Sequence, residues 1–546
     1  MSFLIRTRSF TNHPATTHLE YVGKMGGVNV QTDNIVHRMA VEDKVPWYKK
    51  KNLRYLYFML FPCLMGIEMT SGFDSQIINA VQMVPAWTAY FGHPTGGYKG
   101  ILASALPLGA CIGLPFIPLV NDNLGRRWCV MLGSWIMIIG SLIQGFSVNG
   151  AMYIVSRLIV GFGLPYAIVA GSSLIGELAY PKERAILTSL FNAAYFIGAI
   201  VASAVTYGTQ HIPNDWSWRV PSLLQMSPSI LQVALVFFLP ESPRFLVSKD
   251  RHEEAFKVLV TYHGEGDPNS EFAKAEMAEI KTTIAIELEH AKMSWLDLVS
   301  TVGNRRRLAI GSLVGIFTQL SGNVVISYYL GDILALVGFT DPIFQSQYNI
   351  GNQVWGLVCA VITALVVMKF KRRTMYLFAI FWILGVYAAW TICAGIAVNT
   401  GSGVAAKLCL FWIYFYQPGY NIGFNALTYT YLVEIFPYAM RARGITIFQF
   451  FGKAAQFFGT NVNPVGLDPV NGIGWKFLIV YCVWIAIEGV LIWWLWPETS
   501  GRTLEELAFL FEDDERHKAT QTIEKEIQHE NVEVSETTVG ATKETA

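Results

Sequence analysis

The chain has 546 residues; 53% are hydrophobic, only 15% are charged, and its 40 basic and 40 acidic side chains cancel. A soluble domain carries about 25% charged residues, so a string of soluble domains is a poor fit, and without a basic excess nothing points to a nucleic-acid partner. The seven cysteines are scattered, most of them inside apolar blocks (Cys63, Cys111, Cys359, Cys393, Cys409 and Cys482), with neither metal-ligand spacing nor a paired extracellular framework.

The first forty residues are polar and mixed, without the short apolar core and small-residue cleavage site of a signal peptide. From Leu56 on, apolar residues gather in blocks of ~20, the length that crosses a bilayer as a helix. Twelve such spans are expected, at 56–80, 100–120, 128–147, 151–176, 186–207, 220–239, 308–333, 347–368, 375–398, 405–433, 444–464 and 475–496. The expected fold is therefore an all-α membrane protein. Lys and Arg mark one side of the membrane: Lys49, Lys50, Lys51 and Arg54 before span one, Arg126 and Arg127 after span two, Lys182 and Arg184 after span four, Lys369 to Arg373 after span eight, Arg441 and Arg443 after span ten. The positive-inside rule puts that side, both termini and the 241–306 loop in the cytoplasm. In that loop Ala255, Phe256, Leu259 and Val260 recur at helical spacing, as in short amphipathic helices under the membrane. The organisation expected is a tail (1–54), a six-helix bundle (55–240), the loop (241–306), a second six-helix bundle (307–496) and a polar tail (497–546).

The two bundles repeat one another. "IGELAYPKERA" closes span four with Glu177 and Arg184 seven residues apart, and "LVEIFPYAMRARG" closes span ten with Glu434 and Arg441 at the same spacing. "PESPRFL" follows span six and "PETSGRTLEEL" follows span twelve; both motif pairs are offset by 257 residues. Duplicated halves around a midplane site are a transporter design. Charges at these helix ends can lock the halves together in one conformation and release them in another.

Together with "GFD" (72–74), "DNLGRR" (122–127) and "SRLIVGFG" (156–163), these motifs resemble the sugar porter branch of the major facilitator superfamily over about residues 55–512. "TQLSGNVVISYYL" (318–330), "NPVGL" (463–467) and "GWKFLIVYCVWIAIE" (474–488) resemble most the fungal lactose and cellodextrin permeases. The resemblance implies an alternating-access sugar importer acting as a monomer, in the plasma membrane, without a cofactor or metal. It also implies a cytoplasmic charge lock from Arg126, Arg127, Glu177, Arg184, Glu241, Arg244, Glu434, Arg441 and Glu498. The second-half counterpart of "DNLGRR" is "MKFKRR", where Met368 and Lys371 replace an acid and a glycine.

A carboxylate at membrane depth is costly and marks function by default. Asp74 falls on the family's first-span aspartate, which resembles the proton-carrying position of proton-coupled members, and Arg157 falls on its intramembrane arginine. Ionised Asp74 is expected to pair with Arg157; protonation releases the pair and favours sugar binding. Glu68, six residues before Asp74, is offset by about 120° around the helix and is a second acid or faces an aqueous mouth. Lys453 has open assignments: a pair with Glu68, Asp74 or Glu488, or a contact to substrate.

Sugars call for amides, hydroxyls and aromatic faces on several helices around a cavity. Gln319 and Asn323 share one face of span seven, Asn192 sits on span five, and Asn425 and Tyr429 share a face of span ten. Against the family pattern, Thr318, Ala199 and Tyr429 replace two amides and an indole, which enlarges the cavity and suggests a disaccharide or short oligosaccharide. The alternatives are a non-sugar substrate such as quinate, a polyol or a secondary metabolite, a facilitative uniporter, or a sugar sensor. An enzyme is not expected, since no nucleophile–base pair or phosphate-binding glycine loop stands out.

Overall fold

A computed structural model describes residues 35–290, 297–366, 370–436, 438–468, 470, 472–499 and 511. Among them there are helices and no strands. Met368, most of the N-terminal tail and nearly all of the tail after Thr499 lie outside the described residues.

Among the described residues, nine helices are long and apolar enough to cross a membrane: Lys51–Val81, Gly96–Leu124, Arg126–Gly145, Gly150–Leu178, Leu190–Thr209, Trp216–Phe238, Val302–Leu336, Arg372–Thr400 and Gly474–Leu495. They stand at expected spans one to seven, nine and twelve. Helices also occupy the other three expected positions, and each carries polar side chains turned into the protein. Span eight is Pro342–Val366 with buried Gln345, Asn349, Asn352 and Gln353. Span ten is Gly403–Tyr420 and Thr428–Ile435, with buried Gln417 and Asn421. Span eleven is Tyr438–Leu467, with buried Gln456, Thr460 and Asn463. The result is a twelve-helix, two-half architecture.

Membrane helices gain little from hydrophobic burial against one another, so close backbone approach decides which ones pack. Spans one and five show this. A Cβ on Gly72 would stand 1.9 Å from the Tyr195 carbonyl oxygen, and one on Gly198 would stand 1.9 Å from that of Met69. Span two packs on four, three on four and seven on eleven; two against eleven and five against eight join the halves. Span seven is broken at Gly322, whose φ of 93° only glycine adopts readily. The break separates Val302–Leu320 from Asn323–Leu336.

Between the halves, Pro243–Ser248, His252–Tyr262 and Glu271–His290 form a small satellite on the basic side. Ala255 and Leu259 pack there with Leu246, Ala273, Met277 and Ile280. Polar contacts from Glu265 and His263 help hold it to the bundle. Glu265 accepts hydrogen bonds from Asn52 N (3.1 Å) and Leu53 N (2.9 Å), capping the start of span one. The buried His263 places Nδ1 2.6 Å from Glu276 Oε2 and Nε2 3.2 Å from the carbonyl oxygen of Leu178, at the end of span four. Only the doubly protonated ring donates to both acceptors. Burial pulls the His263 pKa down, but the Glu276 carboxylate beside it wins and holds it above the usual 6.5.

A histidine with a raised folded-state pKa adds stability below its unfolded value and loses it as the pH rises through the folded value. His263→Gln is therefore expected to lower the melting temperature of the purified protein most below pH 6.5. The gap to wild type should close as the pH rises. A gap that is constant or widens with pH would contradict the pair as described.

Candidate substrate cavity and proton site

Spans one, five, seven, eight, ten and eleven enclose a cavity of about 270 Å³. Gln319, Asn323, Asn192, Asn425 and Tyr429, all singled out by sequence, line it together. Asn323 follows the Gly322 break and accepts a hydrogen bond from Ser327 Oγ at 3.0 Å. Asn425 ends a five-residue π turn, Asn421–Asn425, and donates to Asn421 Oδ1 at 2.7 Å. Such turns displace side chains out of helical register and recur at functional sites. Tyr429 accepts from Gln449 Nε2 at 2.6 Å. The sequence reading missed Gln76, Gln353, Gln417, Gln449 and Gln456 on the same wall; their signal was an amide inside an apolar run.

Asp74 and Arg157 are both buried, at 1% and 0% exposure. They do not form an ion pair. Arg157 Nη1 donates to the backbone carbonyl of Asp74 at 3.3 Å, and both carboxyl oxygens of Asp74 are without a hydrogen-bond partner among the described residues. Glu488 is also fully buried; its Oε2 accepts from Ser321 Oγ at 2.6 Å, directly beside the break in span seven. Lys453 lines the cavity and donates to Gln456 Oε1 at 3.4 Å. Neither Glu488 nor Asp74 is its ion-pair partner in this conformation. Glu68 lies on span one within electrostatic reach of Lys453, and outside the cavity wall.

One pair of the duplicated charges closes within each half. Arg126 Nε bonds Glu177 at 3.2 Å and Arg372 Nε bonds Glu434 at 3.3 Å. Glu241 accepts from Arg127 N (3.3 Å), while Glu498 accepts from Arg372 N (3.0 Å) and Arg373 N (3.2 Å). The loss of the acid and glycine around Met368 and Lys371 thus leaves the second-half arginine with its glutamate. Arg184 reaches Glu276 of the satellite at 4.0 Å, and Arg244 shares a small pocket with Glu177, Arg184 and Glu276. Arg441 is half-buried at the start of span eleven.

Bonds between the halves run from mid-membrane to the side opposite the basic loops. Gln76 Nε2 donates to Asn349 Oδ1 (2.8 Å), and Gln353 Nε2 donates to Gln76 Oε1 (3.1 Å). Leu330 N donates to Asn79 Oδ1 (3.2 Å), and Ser346 Oγ donates to Gln210 Oε1 (3.0 Å). Outermost, Lys99 Nζ grips both carboxylate oxygens of Asp332 at 2.5 and 2.7 Å, a gate the sequence reading did not find. On the basic side, the Arg126–Glu177 and Arg372–Glu434 pairs each stay within one half.

Two related six-helix halves around a polar midplane cavity, sealed on one side, define an integral multi-pass secondary transporter of the major facilitator type. The chain matches the family of sugar (and other) transporters over residues 59–511 and belongs to it; it is a transporter and not an enzyme. It is similar to the high-affinity glucose transporter of Kluyveromyces lactis, at 26% identity over 86% of this chain and 87% of that one. It is also similar to the MFS glucose transporter mfs1 of Aspergillus flavus, at 27% identity over 89% and 96%. In fold it resembles the xylose transporter XylE of E. coli in its inward-open conformation, with a TM-score of 0.68 at 22% identity, covering 84% of this chain and 100% of that one.

Gln319→Ala and Asn323→Ala are each expected to remove about 1 kcal/mol of substrate hydrogen bonding, roughly fivefold in KM, with normal surface expression. Unchanged uptake by both variants would remove these amides from the site.

Proposed function

We propose that the chain imports a sugar by alternating access with proton symport, as a plasma-membrane monomer with both termini in the cytoplasm. The domain boundaries expected from sequence serve as the two moving bundles and their connecting loop. On this orientation the Lys99–Asp332 side is extracellular and closed, and the cavity is in its inward-facing state.

The observation that carries the coupling is the partnerless carboxyl of Asp74 beside Arg157. A buried ion without partners is far more costly than a buried neutral acid, so this conformation suits Asp74 carrying its proton. Release of the proton to the cytoplasm leaves an anion next to a guanidinium. Closing that pair draws span one toward span four and favours the return to the outward-facing state. A ligand or proton shifts such an equilibrium only by its differential affinity for the two states, and the pair supplies that difference.

The size of the substrate has two supports that differ. The family replacements at Thr318, Ala199 and Tyr429, and the resemblance to lactose and cellodextrin permeases, favour a disaccharide or short oligosaccharide. The cavity volume of about 270 Å³ is at the foot of the ~300–1,000 Å³ range of ligand pockets and favours a single sugar ring. The relatives reported above carry glucose and xylose in their names.

Expression in a transporter-null yeast tests both points. Sugar uptake with alkalinisation of the medium is expected, and Asp74→Asn should abolish accumulation against a gradient while leaving downhill exchange. Uptake with no pH change would make the protein a uniporter. Competition by glucose, cellobiose and lactose orders the size classes.

A further inference from the structure

Lys453 is the cavity side chain that a neutral sugar does not need. It lines the wall beside Gln449, Gln456 and Tyr429. Its ammonium has one long hydrogen bond, to Gln456, and no Asp or Glu among the described residues stands within ion-pair distance of it. The carboxylates best placed to neutralise it are engaged or displaced. Glu488 is bonded to Ser321 behind span seven, and Glu68 acts on Lys453 only through its field.

A cation at membrane depth without a partner is costly and marks a function. A sugar hydroxyl compensates it weakly, as a neutral acceptor. A carboxylate accepts a charge-assisted hydrogen bond of roughly twice the strength and cancels the charge as well. The other groups on the wall, Gln319, Asn323 and Asn425 among them, are the amides that hydroxyls require. Cation and amides share one cavity of about 270 Å³, small enough that a one-ring ligand meets both.

We propose that the substrate is a polyhydroxy acid, a uronic or aldonic acid in its anionic form, with its carboxylate on Lys453 and its hydroxyls on the cavity amides. This rests on the transporter reading above and narrows its substrate class. It also gives the proton on Asp74 a second consequence: one proton and one monovalent acid anion enter together without net charge.

The test uses the purified full-length protein in proteoliposomes with an inward proton gradient. The probes are matched pairs that differ in the carboxylate alone: D-glucuronate against D-glucose and D-galacturonate against D-galactose. The acid of at least one pair is expected to have a KM tenfold or more below its neutral partner. Lys453→Gln should erase at least tenfold of that ratio, and Lys453→Arg should restore most of it. Should Lys453→Gln fail to fold, the wild type decides alone: the acid must inhibit uptake of its neutral partner at concentrations below that partner's KM. Uptake of neutral sugars with no transport of, or inhibition by, either acid would overturn this proposal and leave the sugar-porter reading standing. Transport of neither class by folded protein would overturn both.

Discussion

No polar group inside a bilayer can be left facing lipid, and that constraint organises this molecule. Amides, hydroxyls and ionisable groups along twelve apolar spans all need protein, water or substrate to face. Many converge on the cavity between the halves and others bond one another where helices pack, so the site and the packing of the spans are solutions to the same problem. Span eight shows it best, since its Gln345, Asn349, Asn352 and Gln353 are all buried. Spans one and five do the complementary work, with Gly72 and Gly198 letting backbones touch so that the helices hold together without hydrophobic drive.

The charges divide by depth. At the basic face the two halves carry the same small device: an arginine on a glutamate one helix away, Arg126 on Glu177 and Arg372 on Glu434, with Glu241 or Glu498 capping the start of the arginine's own helix. Each device stiffens its own half as a rigid body. On the opposite face, Lys99 and Asp332 join the halves. With Asp332 about one-third exposed, that pair is worth on the order of 1 kcal/mol or less. Such a contact closes a gate and still lets it open.

Much of this was legible in the sequence. The span count, the two-half repeat and the five cavity residues follow from apolar runs, matched motif offsets and amides in lipid-like surroundings. Other features were not legible, for physical reasons. The Lys99–Asp332 gate joins residues 233 positions apart, with no local pattern linking them. His263 and Glu276 look like ordinary loop charges until the satellite buries them. The charge motifs read as a lock between halves, but in this conformation Arg126 and Arg372 bond glutamates of their own half and Arg184 reaches Glu276 of the satellite. Spacing reports which residues share a helix end; it does not report which neighbour they choose. Lys453 had several open partners in sequence, and the fold removes the ion pairs with Glu488 and Asp74 in this conformation.

On the proposed mechanism, the proton on Asp74 sets which side is open. Paramagnetic labels at Asn123 and Lys371, on the basic loops of the two halves, report that opening as a distance in the reconstituted protein. A long distance is expected at acidic pH, shortening as the pH rises, and a long distance at every pH in Asp74→Asn. A distribution that ignores pH in the wild type, or shortens equally in Asp74→Asn, would contradict it.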